Sequence, residues 1–373
     1  MGEAVRARSS DQEDAYRAMF TDAVASGDLA RVCAAARQLL ENAQSLVRTS
    51  KFIRAQIEAR PPAGLLPYRV ALLSSFSIEF VEDPLWVRGL VEGLDVSISL
   101  SGFDLYQQDI LNPDSALYRE KPDAAVILAV DGPRWAPGLY EGFLGEGWRD
   151  GEAVVRAALD GIASLVGTFR QRSSAPILFH GLVPPRFPQL GVLDALETNS
   201  QAKLIADVNR GLAGLAADVP GFYPIDLDAI VRDVGYQQWY DPRLSFLARS
   251  LITRPAMDDL ARVYMRYIRA LTGRNRKCLV LDLDNTLWGG VLGLGVELGS
   301  EYPGSAFVAF QRAVLGLRER GVLLAVASKN NAADVDEVFD QNPAIVLKPE
   351  HFSRPCRFTG NRRACPWSGS PAT

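Results

Sequence analysis

The hydrophobic pattern of the chain changes character twice. Over residues 1–62 apolar positions recur at helical spacing: Leu29, Val32, Cys33, Ala36, Leu39 and Leu40 share one face, and Leu46, Val47, Phe52, Ile53 and Ile57 continue the series. The stretch RPPAGLLP (60–67) ends it, because proline cannot sit inside a helix. A helical extension that docks on the rest of the chain is expected here. From Tyr68 onward, apolar runs of strand length alternate with amphipathic segments of helix length. RVALLSS (69–75), DVSISL (95–100), DAAVILAV (123–130), PILFHG (176–181) and FYPID (222–226) predict strands. Residues 78–93, 152–172, 198–217 and 254–272 predict helices, with Val154, Val155, Ala158, Leu159, Ile162 and Leu165 facing inward on the second. DAAVILAV is almost wholly apolar, as befits a strand covered on both faces of a parallel sheet. Residues 63–273 therefore read as a three-layer α/β domain.

The charged link RNRK (274–277) opens a second unit over 274–350. CLVLDLD, VLLAVASKN and AIVLK (344–348) predict three strands, and AFVAFQRAVLGLRERG and ADVDEVFDQ the helices between them. This is a second parallel α/β sheet that reads as cut short. Residues 351–373 carry four arginines and no acid, and they lose all apolar periodicity. Disorder, or a tail foreign to the fold, is expected there; a GC-rich gene read out of frame would give such a composition.

Composition narrows the class. The 373 residues are 48% hydrophobic and 23% charged with a net charge of −4, which is globular rather than disordered. No basic stripe suggests a nucleic-acid partner, and no apolar run reaches the roughly eighteen residues of a membrane span. The N-terminus is charged where a signal peptide is apolar. Cysteines at 33, 278, 356 and 365 form no disulfide framework, so a cytoplasmic location is expected.

The candidate chemistry lies in CLVLDLDNTLWGG (278–290). Asp282 and Asp284, two apart on an extended backbone, project to one side at the carboxyl end of a strand, where open parallel sheets bind ligands. One carboxylate can attack phosphorus, and the other can protonate the leaving group and then activate water. Two carboxylates facing a phosphate call for a cation, and Mg²⁺ suits oxygen ligands. Ser328, at the end of AVASKN, can bond a phosphoryl oxygen or cap the next helix; Asn330 can help hold the phosphate. Trp288 reads as a packing residue.

VLDLDNTLWGG, the glycine-rich stretch after it and GSAFVAFQRAVLGLRERGVLLAVASKNNAADV resemble the haloacid-dehalogenase (HAD) superfamily, in its FkbH-like, HAD-IIIC branch. GFDLYQQDILNPDSALY, PDAAVILAV and WYDPRLSFLAR resemble the degenerate SGNH-hydrolase-like domain that precedes the HAD unit in those proteins. The resemblance covers roughly residues 68–350. It implies that Asp282 is nucleophile and Mg²⁺ ligand. It implies that Asp284 is the acid/base, its carbonyl also on the metal, and that Thr286 and Ser328 support the phosphate. It implies a phosphatase or transferase that takes a glyceryl unit from 1,3-bisphosphoglycerate and loads an acyl carrier protein in polyketide or mixed peptide biosynthesis. The chain departs from the pattern at Ala327, where many members carry cysteine, and after Glu350, where the third-motif lysine and fourth-motif aspartates are missing. Lys348 comes too early to be that lysine. Weak or absent turnover is expected on this reading.

In the first domain the serine position falls in Ser74-Ser75-Phe76-Ser77, and the late DxxH position reads Asp241-Pro242-Arg243-Leu244. Leucine replaces the histidine that a Ser–His–Asp triad requires. His180 reads as structural, and Ser75 and Ser77 as caps of the following helix. GLVPPR (181–186) and GFDLYQQ are candidates to line a cleft. Two other functions stay open: a non-catalytic fragment that binds a carrier protein, and a serine esterase in the first domain.

Overall fold

The computed structural model describes residues 2–119, 125–250 and 252–353. The chain divides after Arg274 into two compact units.

The first unit is built on five strands: β1 (Leu66–Ser74), β2 (Leu94–Leu100), β3 (Ala125–Ala129), β4 (Ile177–His180) and β5 (Phe222–Ile225). They form one sheet in the order β2-β1-β3-β4-β5, with every neighbouring pair parallel. Alternate side chains leave opposite faces, and both faces are covered. Val70, Leu72, Val96, Ile127 and Leu178 meet the helices Glu82–Val91 and Arg254–Leu271. Ala71, Leu73, Val126, Leu128 and Phe179 meet Gly151–Arg170 and Gln201–Asp218. That double cover is why the central strands β3 and β4 read as nearly unbroken apolar runs, whereas the edge strand β2 alternates. Polar caps set the helix starts: Asp150, Ser200 and Thr253 each accept an N–H from the first turn.

Helices α1 (Gly2–Ser26), α2 (Leu29–Glu41) and α3 (Leu46–Ala59) belong to the same unit. Their buried Phe20, Val32, Ala36, Leu39 and Ile53 pack with Val87 and Leu90 of the helix Glu82–Val91. That helix gives Leu85 to the sheet side and Val87 and Leu90 to the three helices, so it is enclosed from both directions.

The second unit pairs β6 (Cys278–Leu281) in parallel with β9 (Leu323–Val326), and an antiparallel hairpin joins β7 (Gly289–Val291) to β8 (Gly295–Glu297). Gly290 has φ +80°, and a Cβ there would lie 2.3 Å from the Gly295 carbonyl oxygen, so the hairpin requires glycine. The helices Gly304–Glu319 and Ala332–Gln341 close a core of Leu281, Leu283, Trp288, Val314, Leu324 and Phe339.

Two expectations are corrected here. AIVLK (344–348) is not a strand. Ile345 and Leu347 are buried, but the N–H groups of Val346 and Leu347 donate to Gln311 Oε1 at 2.9 and 3.1 Å. One buried side chain thus takes donors that a ladder would have used. The foreign tail does not begin at 351 either. Phe352 packs edge-on against Phe339 with ring centroids 6.1 Å apart, and the Ser353 N–H donates to the Leu324 carbonyl. The remainder of that expectation, 354–373, lies outside the described residues. Among the described residues no helix is long and apolar enough to cross a membrane.

Candidate active site

The strand β6 stops at Leu281, and the chain then coils tightly at the carboxyl end of the β6–β9 pair. Asn285 sits in the left-handed region at φ +54°, which asparagine tolerates better than most residues. Its N–H donates to the Gly290 carbonyl, and its Oδ1 accepts from the Gly290 N–H at 3.1 Å. The N–H groups of Thr286 and Leu287 donate to the Leu283 carbonyl. This loop and the base of the hairpin therefore fasten one another.

Within it the two aspartates are held differently. Asp282 is exposed, and its Oδ1 accepts the N–H of Leu283 at 2.8 Å. Asp284 is half-buried, and both of its oxygens are engaged. Oδ1 accepts from Trp288 Nε1 at 3.0 Å and from the Leu292 N–H at 3.1 Å; Oδ2 accepts from Asn330 Nδ2 at 3.0 Å. Burial pushes this carboxyl up, but the hydrogen bonds from Asn330, Trp288 and Leu292 outweigh it and hold Asp284 below its ordinary range. Asp284 is thus an ionised acceptor at neutral pH.

The other candidates gather unequally. Asn330 reaches Asp284, and its own N–H donates to Ser328 Oγ at 3.1 Å. Ser328 does not cap the following helix. Asn331 does, accepting the Ala333 N–H at 3.4 Å. Thr286 is half-buried in the loop and enters it through its N–H. Lys348 follows no strand, and its N–H donates to His351 Nδ1. Trp288 packs fully buried against Phe339, yet it is also one of the donors on Asp284, a part that sequence alone did not reveal. Gln311 was missed altogether. It is fully buried, its Nε2 donates to the Leu287 carbonyl at 2.7 Å, and its Oε1 holds residues 346 and 347. A lone glutamine on the apolar face of AFVAFQRAV was the available signal. Among the described residues no group of three or more His, Cys, Asp or Glu side chains gathers to hold a metal. The donors present, the Asp282 carboxylate and nearby backbone carbonyls, are hard oxygens of the kind Mg²⁺ takes.

In the first unit Ser75 does not cap a helix. Its hydroxyl donates to Asp131 Oδ1 at 2.7 Å and accepts the Asp131 N–H at 2.9 Å. The Ser77 N–H donates to the Arg249 carbonyl. His180 is buried and shares a 2.7 Å hydrogen bond with the Tyr264 hydroxyl, and burial pulls its pKa down to about 3. Its pairing is structural, as expected. Among the described residues no imidazole is bonded to Ser75 or Ser77, so a triad is not assembled. Asp241 instead caps the helix Pro242–Ala248 and pairs with Arg243 at 2.8 Å. Gly181, Val183 and Pro185 of GLVPPR line a cavity, and no residue of GFDLYQQ is in that cavity's wall.

No family model matches the chain, and no curated protein does. Among solved structures, the N-terminal part of the protein BF1531 from Bacteroides fragilis, which contains a phosphatase domain and was crystallised with Mg, superposes with a TM-score of 0.69. It is 23% identical, over 79% of this chain and 77% of its own. The lipase Lip_vut3 from a goat rumen metagenome is 14% identical over 55% of this chain and 99% of its own, with a TM-score of 0.40. The first likeness shows a shared α/β fold.

Proposed function

We propose that the second unit handles phosphate in the manner of a HAD-type, Mg²⁺-dependent phosphatase or phosphotransferase, of the FkbH-like kind. The observation that carries this reading is the division of labour at the end of β6: an exposed Asp282 beside an ionised Asp284 whose oxygens are fixed by Asn330, Trp288 and the hairpin. The fold shared with a protein that contains a phosphatase domain and was crystallised with Mg supports it.

On this reading Asp282 attacks phosphorus, forms an aspartyl phosphate and expels the leaving-group oxygen. Asp284 delivers a proton to that oxygen and later takes one from water. Its three donors favour the ionised form, so delivery requires at least one of them to let go. Mg²⁺ would be held by the Asp282 carboxylate and the Asp284 carbonyl and would offset the negative charge brought together there. Ser328 and Thr286 are the groups assigned to the phosphoryl oxygens, with Asn330 linking Ser328 to Asp284.

The substrate proposed is 1,3-bisphosphoglycerate, whose glyceryl unit would pass to an acyl carrier protein, with the SGNH-like first unit as the carrier's platform. The test combines the full chain with 1,3-bisphosphoglycerate, Mg²⁺ and a carrier protein, and reads phosphate release together with the mass of the carrier. Slow release of phosphate with a glyceryl-loaded carrier is expected, slow because the third-motif lysine and fourth-motif aspartates are missing. Phosphate without loading would confine the function to hydrolysis, and neither product would overturn the proposal.

A further inference from the structure

The first unit contains a cavity of about 260 Å³ that the phosphate chemistry does not use. It opens at the carboxyl ends of β1, β3 and β4, through Phe76, Asp131 and Gly181. The sheet order runs from β1 to β2 on one side and from β1 to β3 on the other, so this is where the connections reverse direction and leave a crevice.

The lining decides what the crevice can hold. It is mostly apolar and aromatic, includes Tyr140, Tyr236 and Tyr240, and contains neither lysine nor arginine. His180, also in the wall, is held neutral by its burial. Asp131 is the single acidic residue of the lining. Ser75 fixes its Oδ1, while Oδ2 has no hydrogen-bond partner among the described residues. The nearby Arg134 pairs with Asp104 at 3.4 Å and keeps half of its side chain in solvent. Burial pushes the Asp131 carboxyl up and the nearby Arg134 acts against that, but the lining itself holds no cation, so charge disfavours an anion such as phosphate.

The aromatic wall is set in advance. The Tyr140 hydroxyl donates to the Val183 carbonyl at 2.8 Å, and the Tyr236 hydroxyl accepts the Arg186 N–H at 3.1 Å. The rings of Tyr236 and Tyr240 lie 4.7 Å apart at 45°. Aromatic faces attract ammonium groups, and a carboxylate oxygen with no partner completes such a site. The volume, a little under the usual range for drug-sized ligands, limits the occupant to a small molecule.

We propose that this cavity binds a small organic cation, its ammonium group on Asp131 and its apolar body against Phe76, Tyr236 and Tyr240. The inference is independent of the phosphate reading. The test is calorimetry on the full chain with three probes of one shape: benzylamine, benzyl alcohol and benzoate. Benzylamine is expected to bind about tenfold tighter than benzyl alcohol, with benzoate weakest. Asp131→Asn keeps a partner for the Ser75 hydroxyl; it should weaken benzylamine about tenfold and leave benzyl alcohol nearly unchanged. Tyr240→Leu removes ring surface from the shared apolar body, so it should weaken benzylamine and benzyl alcohol alike. The proposal is overturned if benzoate or benzyl alcohol binds as well as benzylamine, if Asp131→Asn leaves benzylamine unaffected while the thermal melt is intact, or if no probe binds at millimolar concentration. Phosphate release, where present, should be untouched by Asp131→Asn.

Discussion

Gln311→Met is the sharpest test of how the second unit holds the loop that follows β6. The native side chain is fully buried and makes three hydrogen bonds to the backbone: to the Leu287 carbonyl, and from the Val346 and Leu347 N–H groups. Methionine has nearly the same length and shape, so little cavity opens. What is lost is the pairing of three backbone groups. Each buried polar group left without a partner costs about 1–3 kcal/mol. Taking the lower end for groups that partly relax, the unit should lose about 3 kcal/mol, out of the roughly 5–15 kcal/mol typical of a domain. The assay is denaturant unfolding of the full chain, with amide hydrogen exchange read at residues 346 and 347. Those two amides should lose protection by about two orders of magnitude, since 1.4 kcal/mol is about tenfold. If both stay protected, and the second unit's transition shifts by less than about 0.5 kcal/mol, then Gln311 is not the fastener claimed here.

Four further outcomes follow from the geometry. Asp282→Asn should reduce phosphate release to background without moving the thermal melt, because Asp282 is exposed; retained release would remove it as nucleophile. Asn330→Ala deletes a donor that favours the ionised form, so the carboxyl carbon of Asp284 should titrate at a higher pH by NMR, and an unmoved or lower midpoint would contradict the assignment. Chelation with EDTA should stop phosphate release, and added Mg²⁺ should restore it; release that persists without divalent ions refutes the requirement. His180 sets a pH dependence. Its folded pKa, lowered by burial from 6.5 to about 3, means that the unfolded chain takes up the proton first. Its contribution is therefore full above pH 6.5 and is lost at about 1.4 kcal/mol per pH unit as pH falls toward 3. Urea unfolding of His180→Gln should lack that slope, so wild type should lose stability relative to the variant on acidification; a constant gap would be the contrary result.

How much of this could be read from sequence depended on the range of the interaction. The central strands of the first sheet were legible because both of their faces are covered, which writes burial directly into consecutive residues such as Val126 to Val130. AIVLK has the same signature and is not a strand, because burial alone does not say where the N–H groups go, and here they go to Gln311. The aspartate pair was visible as a motif. Its electrostatics were not, since the decisive donor on Asp284 Oδ2 comes from Asn330, 46 residues on. Ser75 was misread for the same reason: its partner Asp131 lies 56 residues away, just past the end of β3. Ser328 and Asn331 are three apart in a polar run, and only the backbone shows which one ends up at the helix start.

The enclosure of the helix Glu82–Val91 has a practical consequence. Val87 and Leu90 are completely sealed under α1–α3. Anyone who trims the protein back to its sheet by cutting near residue 62 will strip an oily seam bare, and the shortened product should clump rather than stay dispersed. The leading helices are the lid of the first unit, and any recombinant version meant for assay has to carry them.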